Sequence, residues 1–232
     1  MITLRKANDR GRSQISWLDS YHTFSFSSYF DPDHSGFSEL LVINEDRVIP
    51  AGGFPTHSHQ DMEIITYVLS GSLEHKDSIG NTSIIYPGDT QRMSAGKGIT
   101  HSEFNSSDED PVHFLQIWIQ PNVKGIDASY EQKHVPAEKK QGSLKLIASA
   151  EGGNDSVKIH QDVKLYASIL NETDNIDYTI SPNRNIYIHI AKGDVTLNDF
   201  ALSEGDGAKI TGESKIKINS PSSAEILLFD LP

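Results

Sequence analysis

Hydrophobic residues in this chain come in short bursts, and none of them keeps a long helical rhythm. Glu39–Ile43, Glu63–Leu69, Ser83–Tyr86 and His113–Ile119 are apolar or alternating, and rich in Ile, Val and aromatic residues. Such side chains suit a pleated, half-buried surface, and period-two alternation sorts them onto one face. Gly, Pro, Asn and Asp punctuate the runs, and Asp77–Asn81 (Asp-Ser-Ile-Gly-Asn) has the composition of a hairpin turn. Many short strands separated by turns predict an all-β sandwich or jelly roll. Pro121–Gly142 is polar and reads as a connector able to seat a short helix.

The rhythm then repeats. Ile186–Ile190, Gly193–Leu197, Gly205–Ala208 and Ala224–Leu228 follow the same strand and turn spacing. Ala191-Lys192-Gly193-Asp194-Val195 echoes Leu69-Ser70-Gly71-Ser72-Leu73, and Ser203-Glu204-Gly205-Asp206 echoes Tyr86-Pro87-Gly88-Asp89. A chain of 232 residues has room for two β domains of about 110 each. The division expected is 1–135 and 136–232. Aromatic residues crowd into the first, which therefore has the richer core and room for an aromatic ligand.

Composition removes several function classes. The net charge is −12 with no Lys/Arg stripe, which argues against nucleic-acid or anionic-membrane partners. There is no Cys, hence no disulfide framework and no thiolate metal ligand. The N-terminal residues carry no apolar signal region, and no apolar run reaches membrane-span length. A cytoplasmic location is the expectation.

The chemistry concentrates in two segments, His57-Ser58-His59 and His101-Ser102-Glu103. Strand side chains alternate faces, so His57 and His59 share a face, and so do His101 and Glu103. Two such strands brought together would converge three imidazoles and a carboxylate, a metal-ligand set. A His-x-His pair alone is a weak signal, since surface histidines on polar strands also produce it. Glycine-rich approaches (Ala51-Gly52-Gly53 and Ser94–Gly98) and the second pair strengthen it. Glu63 has the parity of His59 and also qualifies as the carboxylate. Four residues of strand span about 13 Å, however, against about 7 Å from His101 to Glu103. Spacing alone leaves both open. The second half has only isolated histidines, His160 and His189, and reads as a metal-free buttress. His22 reads as core packing or cavity lining, and His75 and His113 as solvated face residues.

These residues resemble the cupin superfamily, whose first motif reads here as Gly52, His57, His59, Glu63 and Gly71. The second reads as Gly88, Ser94-Ala95-Gly96, Gly98, His101 and Asn105, with Ser94 where proline is usual. Within it the chain resembles the pirin family in His22–Phe26, Tyr29–Pro32, Thr56–Glu63, Asp77–Asn81 and Met93–Glu103. The likeness runs strongly from residue 1 to about 135, and Tyr130-Glu131-Gln132 matches a stretch of no assigned chemistry. It implies a bicupin, two stacked jelly-roll barrels with little helix. It also implies metal ligands His57, His59, His101 and Glu103, with Glu63 beside them or in the cavity.

That donor set suits Fe(II), Mn, Co, Ni, Cu or Zn rather than Ca or Mg, and the resemblance favours Fe(II). Four ligands in an octahedral field leave two adjacent open positions, as an oxygenase needs. The same four can close around Zn. The bacterial members that the chain most resembles are assigned quercetin 2,3-dioxygenase activity. The resemblance thus implies a flavonol and O2 as partners, a depside and carbon monoxide as products, and Glu103 as catalytic proton acceptor. No organic redox cofactor is needed, since the substrate supplies the electrons. A monomer is expected. Two rivals remain at this stage: an iron-bearing regulator that binds a protein partner, as in eukaryotic pirins, and a cupin isomerase or hydrolase.

Overall fold

A computed structural model describes all 232 residues. The first half supplies β1 (Ile2–Arg5), β2 (Gly11–Gln14), β3 (Leu18–His22), β4 (Leu40–Val48), β5 (Gly53–His59) and β6 (Glu63–Ser70). It continues with β7 (Leu73–Asp77), β8 (Thr82–Ile85), β9 (Asp89–Ser94), β10 (Ile99–Asn105), β11 (Val112–Ile119) and β12 (Ser129–His134). After α1 (Ala137–Lys140) come β13 (Lys145–Ser149), β14 (Val157–Lys158), β15 (Lys164–Leu170), β16 (Asn175–Thr179) and β17 (Asn185–Lys192). The chain closes with β18 (Asp194–Leu197), β19 (Phe200–Ser203), β20 (Gly207–Ile210), β21 (Lys215–Asn219) and β22 (Ala224–Leu231).

Each half is a sandwich of one large and one small sheet. In the first, the order β12-β9-β6-β11-β4-β3-β2 faces β5-β10-β7-β8. Val48, Val68 and Phe114 of the large sheet meet Leu73 and Ile85 of the small one. In the second, β1-β20-β17-β22-β15-β13-β14 faces β16-β21-β18-β19. The two large sheets stack on each other. Ile65, Leu115 and Ile117 of one join Leu165, Leu227 and Phe229 of the other in a 22-residue apolar cluster. These are the two β domains that the strand rhythm predicts, stacked as the bicupin that the family resemblance implies, and the only α-helix has four residues.

Alternation decides which face each residue takes. On β11, Leu115, Ile117 and Ile119 point at the second barrel, whereas Phe114 joins the interior cluster of the first. On β6, Ile65, Tyr67 and Leu69 likewise face the second barrel. Burying each such side chain stabilises by about 1.5–3 kcal/mol, so the shared interface carries much of the fold.

Two details differ from the sequence reading. β1 pairs with β20, from Ile2↔Ile210 to Arg5↔Gly207, so these residues belong to the second sheet although they fall within 1–135. Ile2 and Leu4 pack on the apolar cluster inside that barrel. The stretch read as connector also contains β12, which pairs with β9 and extends the first large sheet. The Asp77–Asn81 turn forms as expected: Asp77 Oδ1 accepts the backbone N–H groups of Ile79 (3.1 Å) and Asn81 (2.9 Å).

Candidate metal centre

β5 and β10 are antiparallel neighbours in the small sheet, with His57 opposite His101 and His59 opposite Ile99. The imidazoles therefore meet as cross-strand neighbours within one sheet, not across the barrel. Ring centroids lie 4.4 Å apart for His57–His101, 4.8 Å for His57–His59 and 4.9 Å for His59–His101. Their potential ligand atoms all fall within 4.8 Å of one another.

The strand pair is built for close approach. Pairing slips from His101↔His57 to Glu103↔Phe54, so β5 carries an extra residue around Pro55, a position without an N–H to lose. The Pro55 carbonyl accepts the His57 Nδ1–H at 2.8 Å, which fixes the proton there and leaves Nε2 as a lone-pair donor. Gly53 permits the contact: a Cβ at that position would lie 2.4 Å from the Glu103 carbonyl oxygen.

His59 Nε2 and His101 Nε2 are buried and have no hydrogen-bond partner. An orphaned buried polar atom costs about 1–3 kcal/mol, and a cation accepting both lone pairs removes that cost. Burial, reinforced by the neighbouring imidazoles, pushes His101 down to about 2 and His59 to about 4. Both rings are neutral at physiological pH, the form that ligates. The donor set fits a divalent transition ion.

Glu103 lies one alternation further along β10 and is buried. Its Oε2 accepts from Gln116 Nε2 at 2.8 Å and its Oε1 from Thr66 Oγ1 at 3.4 Å. Trp118 Nε1 donates to Gln116 Oε1 at 3.2 Å and so fixes the orientation of that amide. Burial, then the Asp46 carboxylate, pushes Glu103 up to about 7 against those hydrogen bonds. The ligand atom of Glu103 groups with His75 and His101 rather than with His57 and His59. The structure thus forms two overlapping trios that share His101.

His75 and Glu63 do not sit where the sequence put them. His75 is fully buried, 3.5 Å from His101 Nδ1 through its own Nδ1, with Tyr130 packed on its ring at 4.9 Å. β7 borders β10 on the side away from β5, a pairing that local sequence does not reveal. Glu63 belongs to β6 of the other sheet, because the chain turns at Asp61 (φ 47°). It takes the face of Ile65, toward the second barrel, and meets Ser94 Oγ (2.8 Å) and His160 Nδ1 (3.1 Å). Parity with His59 had assumed one continuous strand.

A cavity of about 410 Å³ opens between the sheets, bounded by His57 and His59 on one side. Phe26, Phe54 and Trp118 give it aromatic walls, while Ser13, Ser20, His22, Asn44, Asp46 and Gln116 line it with polar groups. His22 is cavity lining: Ser13 Oγ contacts its Nε2 and Asn44 Oδ1 its Nδ1, both at 2.8 Å. Asp46 Oδ1 is buried without a partner, and burial pushes that carboxyl up to about 7. Asn44, Asp46 and Gln116 escaped the sequence reading. Gln116 carried a signal, as the one polar residue in the apolar run 114–119, whereas Asn44 and Asp46 sit in the polar stretch 44–47 and carried none. His113, by contrast, is partly exposed and bonds Glu45 (2.9 Å) at the seam between barrels.

A double jelly roll with a histidine cluster in one barrel defines a metal-binding cupin of the two-barrel kind. More narrowly, the chain belongs to the pirin family: the Pirin model matches residues 3–119, and the model described as quercetinase C-terminal cupin domain matches 146–231. It is 47% identical over 232 residues to the quercetin 2,3-dioxygenase of Escherichia coli K12, covering 100% of this chain and 99% of that protein. The crystal structure of YhhW from Escherichia coli matches with a TM-score of 0.96 at 46% identity, covering 100% of this chain and 98% of that one. The same bacterial pirin in complex with nickel(II) matches at 0.95 and 46% identity, covering 100% and 99%.

Proposed function

We propose that this chain is a metal-dependent dioxygenase that opens the flavonol quercetin with O2, releasing a depside and carbon monoxide. The observation that carries the reading is the pair of buried, unpartnered imidazole nitrogens on His59 and His101, beside an aromatic-walled cavity. The name of the Escherichia coli relative supports it. His57, His59, His101 and Glu103 would hold one divalent ion. Fe(II) follows the family resemblance, Ni(II) is what the Escherichia coli pirin holds in its complex, and Mn, Co, Cu or Zn suit the same donors. When bound, the ion supplies Lewis acidity that favours an ionised, electron-rich substrate.

The protein's own residues do the rest. Phe26, Phe54 and Trp118 sandwich flat rings and keep water away, while Ser13, Asn44 and Asp46 receive phenolic hydroxyls. Glu103 takes the 3-hydroxyl proton on a carboxylate oxygen. Gln116, locked by Trp118, holds that carboxylate in place. In this reading residues 1–135 carry the chemistry and 136–232 form a metal-free support. The protein acts as a cytoplasmic monomer without nucleic-acid or membrane partners, and no helix is long and apolar enough to cross a membrane. The test is metal-loaded protein with quercetin under air and under argon. Coupled loss of quercetin and O2 with carbon monoxide release is expected. Fully metallated protein that leaves quercetin untouched in air would end the proposal.

A further inference from the structure

We propose that His75 and Asp77 form a positioning chain, Asp77–His75–His101, which sets the tautomer and orientation of the His101 ring. This rests on the reading of His101 as a metal ligand. β10 lies between β5 and β7, so each of its inward residues has a partner on both sides. On the β7 side, Asp77 stands opposite His101 and His75 opposite Glu103. His75 Nε2 lies 3.1 Å from Asp77 Oδ2, and the two Nδ1 atoms of His75 and His101 approach to 3.5 Å. The side chains of His75 and Asp77 are fully buried.

Asp77 is anchored before it reaches His75. Its Oδ1 accepts from the backbone of Ile79 and Asn81, and its Oδ2 accepts from Asn81 Nδ2 at 2.9 Å. A carboxylate so surrounded by donors is an acceptor only, so His75 donates from Nε2. One proton then remains to place between the facing Nδ1 atoms. If His75 donated it, His101 would have to carry its own proton on Nε2 and could not ligate. The arrangement that frees His101 Nε2 has His101 Nδ1–H donating to His75 Nδ1. That Nε2 is indeed buried with no partner. Ligand histidines typically give their second N–H to a carboxylate or carbonyl, as His57 does to Pro55. His101 reaches its carboxylate through a second imidazole. The Asp77–Asn81 hairpin thereby becomes part of the support of the metal centre.

The test uses metal binding and ring chemistry, not turnover. In metal-free wild type, ¹⁵N shifts should show His101 protonated on Nδ1. His75→Phe should weaken nickel(II) binding by about 10–100-fold, read by chelator competition. His75→Gln, whose amide can accept from His101 and donate to Asp77, should recover most of that loss. Asp77→Asn should fall between them. Nickel affinity unchanged in His75→Phe, or His101 protonated on Nε2 in wild type, would overturn the chain. So would a zinc(II)-induced shift showing a His75 nitrogen bound to the ion, since His75 would then be a ligand. Should His75→Phe not fold, the wild-type tautomer decides alone. None of these readouts involves quercetin, so an inactive but metal-binding protein would sink the dioxygenase reading and leave this one standing.

Discussion

The two barrels share an architecture and differ in what fills them. The second is packed with a 16-residue apolar cluster, whereas the first has apolar clusters of six and four. The difference is sharpest along one row of the large sheet. In the first barrel, His22, Asn44, Gln116, Thr66 and Gln91 stand in register across five strands. In the second, the row reads Tyr166, Leu228, Ile188 and Ala208. One sheet spends its interior on polar groups, of which His22, Asn44 and Gln116 line the cavity, and the other on close packing. Polar groups buried without partners are costly, and Gln91 Oε1, Asp46 Oδ1 and two imidazole nitrogens lack them. The shared apolar interface and the second core make that interior tolerable.

The comparison breaks most completely at the metal. His57→Ala or His101→Ala should abolish binding of a divalent ion, measured as metal per chain after dialysis. Wild type should hold about one, and the second barrel none, because His160 and His189 lie apart from any ligand trio. Metal retained in both variants would mean that the trio is not the site. Next in size is the pair of carboxylates. Glu103→Gln should keep much of the metal yet lose about 10²–10⁴-fold in kcat, the usual cost of a missing general base. Glu63→Gln should keep kcat within a few-fold and lose thermal stability instead, since Glu63, held by Ser94 of its own sheet, reaches the second half through His160. Reversed behaviour would exchange their roles.

The fold was legible in the chain, but this contrast was not: the crowding of aromatic residues pointed to the richer core in the first barrel, whereas the larger interior cluster lies in the second. The strand rhythm, its repetition and the shared faces of His57 with His59 and of His101 with Glu103 all follow from local periodicity, and period-two alternation survives into the fold. What local pattern could not supply was partnership. β1 joins a sheet two hundred residues away. His75 reaches the site because β7 happens to border β10. Glu63 leaves the site because one residue with positive φ, Asp61, moves the chain between sheets. Gln116 was visible as a polar interruption and Asn44 and Asp46 were not, and only the cavity gives all three a purpose.

Core substitutions should read the same contrast as stability. Leu228→Ala, in the filled barrel, should cost about 2–5 kcal/mol by chemical denaturation, through lost burial and a cavity. Gln91→Leu, in the polar barrel, replaces a side chain whose Oε1 is unpartnered, and should be neutral or stabilising by about 1 kcal/mol. If both cost alike, the polar row is as well satisfied as the apolar one, and the contrast has no energetic content.

The last effect is confined to acid pH and concerns the one buried histidine that the second barrel does have. His189 faces the seam between barrels, near Arg10, Glu45, His113 and Asp206, and neither ring nitrogen has a partner. Burial, with Arg10 adding to it, pushes the imidazole down from 6.5 to about 4. The unfolded chain therefore takes up a proton at a pH where the folded chain does not. The resulting penalty is absent above pH 6.5 and grows as pH falls toward about 4, reaching roughly 3 kcal/mol. His59 and His101 act in the same direction in metal-free protein, so the total slope belongs to both barrels. Glu45 also favours acid lability but at lower pH: burial raises it, yet His113 and Arg10 hold it well below its usual range. The His189 share is isolated by difference. His189→Leu should flatten the stability curve between pH 5 and 6 by about one proton, or about 1.4 kcal/mol per pH unit. Metal should flatten the remainder by holding His59 and His101 neutral in the folded state and stabilising it directly. A His189→Leu curve parallel to wild type would mean that this ring finds a partner in solution, and that the first barrel alone accounts for the pH dependence.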